Sequence, residues 1–168
     1  MAVAMAGIGM VSPLLPIYVR EELHGPELAV ALSFSGLALT QIAASPIFGR
    51  YADRVGPKPF IVLGFAIYAI AGIGYGFASS WEAVVGFRLL SGVGAAAIFP
   101  SALAYIGRLA PRGREGTYMG IFAVAEVVGC GIGPLLGGAA RDLVSSRAAF
   151  ATMSMLLESS GLFAPVAK

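Results

Sequence analysis

Charge is what this sequence lacks most. Only 12% of its 168 residues are Asp, Glu, Lys or Arg, against 58% hydrophobic, and the mean hydropathy is +0.85. Soluble domains carry about 25% charged residues, so the chain has about half the charge that a water-facing globule needs. Its formal net charge is only +2, with no basic run interleaved with aromatics, which excludes a nucleic-acid partner. The single cysteine, Cys130, excludes an internal disulfide. One cysteine and one histidine cannot build a zinc site, and His24, set among acids in a polar stretch, reads as an exposed loop residue. No Gly-x-Ser-x-Gly motif is present for a serine hydrolase. No ring of acids or filter-like loop suggests an ion channel. The glycines around Gly131 lie inside an apolar run, not after a soluble strand, so they do not form a dinucleotide loop. Neither an enzyme nor a metal site is expected.

What the chain does hold is long apolar runs. Leu28 to Phe48, Pro59 to Ser80 and Met1 to Val19 are free of charge. Ala83 to Gly107 contains only Arg88, and Gly116 to Ala140 only Glu126. Each matches the roughly 20 residues a helix needs to cross a hydrocarbon core of about 30 Å. A last run from Ala148 is weaker, interrupted by Glu158 and Ser159-Ser160-Gly161. These runs predict a single all-α membrane domain over 1–168, with six transmembrane helices near 1–19, 28–51, 59–80, 83–107, 116–140 and 147–166. Met1 to Val19 lacks a basic n-region and carries Pro13 and Pro16, so it reads as a first membrane helix, not a signal peptide.

Basic residues set the expected orientation. Arg50, Arg54, Lys58, Arg108, Arg112, Arg114 and Lys168 share one side of the membrane; Arg20, Arg141 and Arg147 share the other. The positive-inside rule then puts the N-terminus in the cytoplasm, in a multi-pass protein of the plasma membrane. Trp81 and Tyr105, near span ends, suit the interface.

Two charges fall inside spans. Glu126 is ten residues in, roughly 15 Å deep, and Arg88 is five residues in, at roughly 7 to 8 Å. Charges at such depth are costly and face a bundle interior or a wet cavity. A carboxylate shielded from water can exchange a proton near neutral pH. Glu126 is therefore expected to be the protonatable group, with Arg88 tuning its charge or relaying protons; a structural Arg–Glu pair is the alternative. Glu126 shares a face with Gly129, Gly133 and Gly137, which recur every fourth residue and allow close helix approach in lipid. Gly72 and Gly76 repeat that spacing in the third span. Gln41, Tyr68 and Ser101 either line a cavity or hydrogen-bond within the bundle.

Between the second and third spans lies Gly49-Arg50-Tyr51-Ala52-Asp53-Arg54-Val55-Gly56-Pro57-Lys58. Gly49 and Gly56 allow tight turns, Arg54 and Lys58 hold the loop at the surface, and Asp53 suits a neighbouring helix N-terminus, where the dipole favours an anion. This hairpin resembles the signature loop of the major facilitator superfamily of secondary transporters, whose aspartate and arginine help lock the two halves in one access state. Pro59 departs from it, standing where the family often has a second basic residue. Gly7, Pro13 and Pro16 resemble the first-helix Gly-x5-Pro-x-x-Pro pattern of twelve-helix drug–proton antiporters. Arg88-Leu89-Leu90-Ser91-Gly92 is similar to Arg-x-x-Gln-Gly, with Ser91 in place of glutamine. Gly129 to Gly138 resembles Gly-x-x-x-Gly-Pro-x-x-Gly-Gly, with Pro134, Gly137 and Gly138 at the expected places.

The resemblance implies an N-terminal six-helix half built of two inverted three-helix repeats. It further implies alternating-access efflux of a small organic molecule, driven by a proton gradient without a cofactor. The partners it implies are the bilayer, the substrate, and a second six-helix half supplied by a separate chain, a second copy or a C-terminal region. The expected alternative is a non-transporting membrane fragment or packing module.

Overall fold

The computed structural model describes residues 2–143, with side chains at 2–7, 10, 13, 137 and 140–143 outside the described set. All elements assigned within it are helical. Helix α1 (Ala2–Ile17) runs into a π-helical turn, Tyr18–Glu22. It is followed by α2 (Glu27–Val55), α3 (Lys58–Phe77), α4 (Trp81–Leu109) and α5 (Glu115–Leu143). The expected span at 147–166 lies outside the described residues. Helices α2, α3 and α4 and the stretch Glu115–Leu136 of α5 are each long and apolar enough to cross a bilayer.

Helices α2 and α4 each run 29 residues, roughly 43 Å at 1.5 Å per residue. That exceeds the hydrocarbon core, so their charged last turns project beyond it. Charge-free runs in the sequence mark only the apolar part of each helix. The ends have local causes. Gly56, at φ +109°, ends α2 in a conformation that L side chains rarely adopt, and its N–H returns to the Ala52 carbonyl at 3.0 Å. Pro59 sits in the first turn of α3, where a missing N–H costs nothing. Ser80 caps α4 by accepting from the Ala83 N–H at 3.3 Å. Just past the π turn, the Leu23 N–H reaches the Tyr18 carbonyl at 3.2 Å. The Tyr18 hydroxyl in turn donates to the Ala78 carbonyl at 3.0 Å, tying the end of α1 to the end of α3.

Helix α4 is the central element, with α2 and α3 packed along it, while α1 packs along α5. Close backbone approach makes this geometry. A Cβ at Gly92 would collide with Thr40 Oγ1 and stand 2.5 Å from the Leu37 carbonyl oxygen, both on α2. Gly94, about 200° further round the helix, faces α3 instead: a Cβ there would lie 3.0 Å from the Gly64 carbonyl oxygen. Reciprocally, a Cβ at Gly64 would lie 2.6 Å from Ile98 Cγ1. Between α1 and α5, a Cβ at Gly9 would sit 3.2 Å from the Cα of Cys130. The spacing of Gly72 and Gly76 does not mark such a contact at Gly76. Gly72 is buried but Gly76 meets open space, and α3 makes its tight approaches through Gly64 and through Gly74, against the Phe87 ring.

Gly64→Ala and Gly92→Ala should each destabilise the bundle by about 1–3 kcal/mol through overpacking. Gly76→Ala, with no neighbour to meet, should be neutral or slightly stabilising by helix propensity. Thermal unfolding in detergent, followed by circular dichroism, separates the two classes.

Candidate functional site

Five helices line an open cavity of about 350 Å³ whose wall includes Ser12, Phe34, Gln41, Tyr68, Arg88, Phe99, Cys130 and Pro134. Arg88 is its charged member and is only 3% exposed. Its guanidinium carbon lies 5.0 Å from the centroid of the Phe34 ring and 5.9 Å from that of Tyr75. The Tyr75 ring is fixed by a 2.7 Å hydrogen bond between its hydroxyl and Ser91 Oγ, and by an edge contact with Phe87 at 6.1 Å. Ser91 donates to the Phe87 carbonyl at 3.0 Å. Among the described residues Arg88 Nε has no hydrogen-bond partner. Aromatic faces, more than a carboxylate, compensate the desolvated cation. Ser91, standing where the resembled motif has glutamine, serves this cage by positioning Tyr75.

The two intramembrane charges are not paired. The ion pair found among the described residues joins Arg20, in the π-helical turn, to Glu27, the first residue of α2. Glu126 is half-buried on α5 and stands outside the cavity wall, one turn before Cys130, which belongs to it. Spacing of four puts the two residues on one helix face. Gly129 and Gly133 are buried, and Gly133 lies with Cys130 against Gly9, so this face of α5 turns toward α1. Gly138 is half-buried, with open space where a Cβ would be. Gln41 and Tyr68 line the cavity. Ser101 is buried, its Oγ without a partner among the described residues, but it is not in the described wall. Pro16 is half-buried near the end of α1; the surroundings of Gly7, Pro13 and Gly137 lie outside the described residues.

The α2–α3 turn is held through its backbone. Asp53 and Arg54 are exposed, and α3 begins without a side-chain cap. The backbone of Asp53 is engaged instead. Arg108 Nη2, from the last turn of α4, donates to the carbonyls of Ala52 at 3.4 Å and Asp53 at 3.3 Å. Lys58 Nζ lies 5.6 Å from the centroid of the Tyr105 ring on α4. Gly49 makes only an ordinary approach to Pro100. Contacts step forward together along α2 and α4, from Gly36 with Leu89 through Thr40 with Gly92 to Ala52 with Arg108. The two helices are therefore parallel, and their negative dipole ends lie side by side. Arg108 answers that repulsion. In sequence it counts only as one more inner-side cation, and the one available signal was its place in a helix's last turn.

The sequence profile of the Major Facilitator Superfamily matches residues 1–166. The chain belongs to this superfamily. Members are membrane transporters, not enzymes, and the chain is a multi-pass membrane protein. An uncharacterized MFS-type transporter of Methanocaldococcus jannaschii is 36% identical over 149 residues, covering 87% of this chain and 38% of the relative. Multidrug resistance protein 1 of Bacillus subtilis is 32% identical, covering 92% of this chain and 41% of its own length. A multi-drug resistance efflux pump PmrA homolog of Lactococcus lactis is 31% identical, with 97% and 43% covered. The chain thus spans about two-fifths of the length of these superfamily relatives.

Replacing Arg108 by Ala should cost about 0.5–1 kcal/mol, the scale of an exposed cation at a helix C-terminus. Amide exchange should accelerate in the last turn of α2, around Ala52 to Gly56, and not at its start.

Proposed function

We propose that the chain forms one six-helix half of an alternating-access transporter that exports a small organic molecule across the plasma membrane in exchange for protons. One observation carries this reading. The cavity gathers Arg88, Gln41 and Tyr68 with Ser12 and Cys130 from five helices, in an apolar, aromatic-walled space suited to an amphiphilic solute. The multidrug-resistance names of the relatives support efflux.

Six helices in two inverted three-helix repeats are supported by the pairing pattern. Exchanging α1 with α4 and α2 with α5 turns the α1–α5 contact into the α4–α2 contact. The sixth helix would occupy 147–166. In this reading the N-terminus is cytoplasmic, and Gly49, Asp53, Arg54, Gly56 and Lys58 form the gating loop. The exposed Asp53 and Arg54 side chains meet a second six-helix half, which completes the cavity as a separate chain, a second copy or a C-terminal region. Gly129, Gly133, Pro134, Gly137 and Gly138 let α5 and α1 change their packing between access states, and Gly7, Pro13 and Pro16 do the same for α1. Glu126 carries the proton and no cofactor is needed. Proton on, the site's charge is set by Arg88 alone; proton off, the carboxylate offsets it.

Transport of a fluorescent amphiphile should be followed in vesicles holding the chain with a completing half. In inverted vesicles an outward proton gradient, with the lumen acidic, should drive accumulation of the amphiphile against its own gradient. Glu126→Gln should abolish that driven accumulation while leaving gradient-free exchange, and Glu126→Asp should restore part of it. Driven accumulation that survives Glu126→Gln would remove Glu126 from the coupling.

A further inference from the structure

Taking the cavity as the transport site proposed above, we infer that it selects aromatic solutes carrying an uncharged hydrogen-bond-accepting oxygen, such as a carbonyl, which takes the Nε–H of Arg88. Arg88 lines the cavity at 3% exposure, and among the described residues its Nε has no hydrogen-bond partner. A buried donor left unpaired is costly, more so on a charged group. Ser12 and Gln41 share the wall, yet neither bonds this nitrogen. No carboxylate among the described residues belongs to the wall. The acceptor therefore falls to the occupant.

Charge and donor are separate demands. The charge is met by ring faces, since the guanidinium carbon lies 5.0 Å from the Phe34 centroid and 5.9 Å from that of Tyr75. An N–H in the guanidinium plane still needs an oxygen. An uncharged one suits the site better than a carboxylate. A carboxylate loses its own hydration on entering an apolar wall. Held by Arg88, it would also bind more tightly when Glu126 carries a proton, and so travel with protons instead of against them. A carbonyl has no net charge and largely escapes that coupling. The rest of the solute follows from Phe34 and Phe99 in the wall. Phe34 turns its ring to Arg88 yet stays 38% exposed, which leaves surface for a flat ring beside the docking point of the oxygen. Cys130 is exposed on the same wall, so its thiol reports occupancy.

Alkylation of Cys130 by N-ethylmaleimide, on the full chain in lipid nanodiscs, measures the selection. Acetylnaphthalene, ethylnaphthalene and naphthoate share one ring system and differ in the polar group, and they are compared at equal membrane concentration. The ketone should halve the alkylation rate at a concentration about tenfold lower than the hydrocarbon needs. The naphthoate should protect less well than the ketone. Arg88→Met should shrink the ketone's advantage to less than about twofold, with helicity by circular dichroism unchanged. Should that variant fail to fold, the ranking of the solutes on the parent chain decides alone. Equal protection by ketone and hydrocarbon would mean that water serves the Arg88 donor, and would overturn the inference. Stronger protection by naphthoate than by the ketone would replace the hydrogen bond with charge pairing and overturn it too. Protection is read without a gradient, so a failure of proton-driven transport leaves this ranking standing.

Discussion

Close contact between the backbones of α2 and α4 at Gly92 sets the position of nearly everything else. In lipid no hydrophobic effect draws helices together, because the tails are as apolar as the side chains. Cohesion comes from dispersion, which falls steeply with distance. Gly92 lets Leu37 and Thr40 come into contact with the α4 backbone, and Thr40 keeps its hydroxyl satisfied within α2 by bonding Gly36 and Leu37 at 2.9 and 3.0 Å. One turn earlier on α4, the same approach brings Phe34 within reach of Arg88. A cation at this depth is tolerable only because the neighbouring helix is near enough to offer an aromatic face.

On its opposite side α4 repeats the device with α3, through the reciprocal approach of Gly94 and Gly64. Helix α4 is thus held on two sides, and Arg88, Ser91 and Gly92 divide three tasks within five residues. Arg88 faces the cavity, Ser91 steadies Tyr75, and Gly92 admits α2. A larger side chain at Ser91 would have to reach the Tyr75 hydroxyl across a distance that serine already spans.

Much of this was legible in the sequence, for identifiable reasons. Apolar runs of bilayer length report helices because a backbone in lipid has few other ways to satisfy its polar groups. Arg88 stood out because charge is rare at depth, and Gly129 and Gly133 because small residues at a spacing of four make a groove. What stayed hidden depends on crossing geometry. Gly76 repeats that spacing from Gly72 yet meets open space, since α3 meets α4 on the face of Gly64. Arg88 and Glu126 read as natural partners by charge, but they lie on different helices whose rotation about their axes cannot be read from one chain. The Arg108 contact needed the knowledge that α2 and α4 run parallel with their ends level.

That last contact has a mechanical meaning. Arg108 fastens the foot of α4 to the foot of α2, while Gly92 and Gly36 hold the two shafts together higher up. Pinned at several heights, the pair behaves as a single beam that can tilt but not shear. The surface turn and the wall bearing Arg88 are two stations on that beam. Tilting either one carries the other with it, so a disturbance at the membrane surface reaches the cavity by leverage, with no relay of side chains between them.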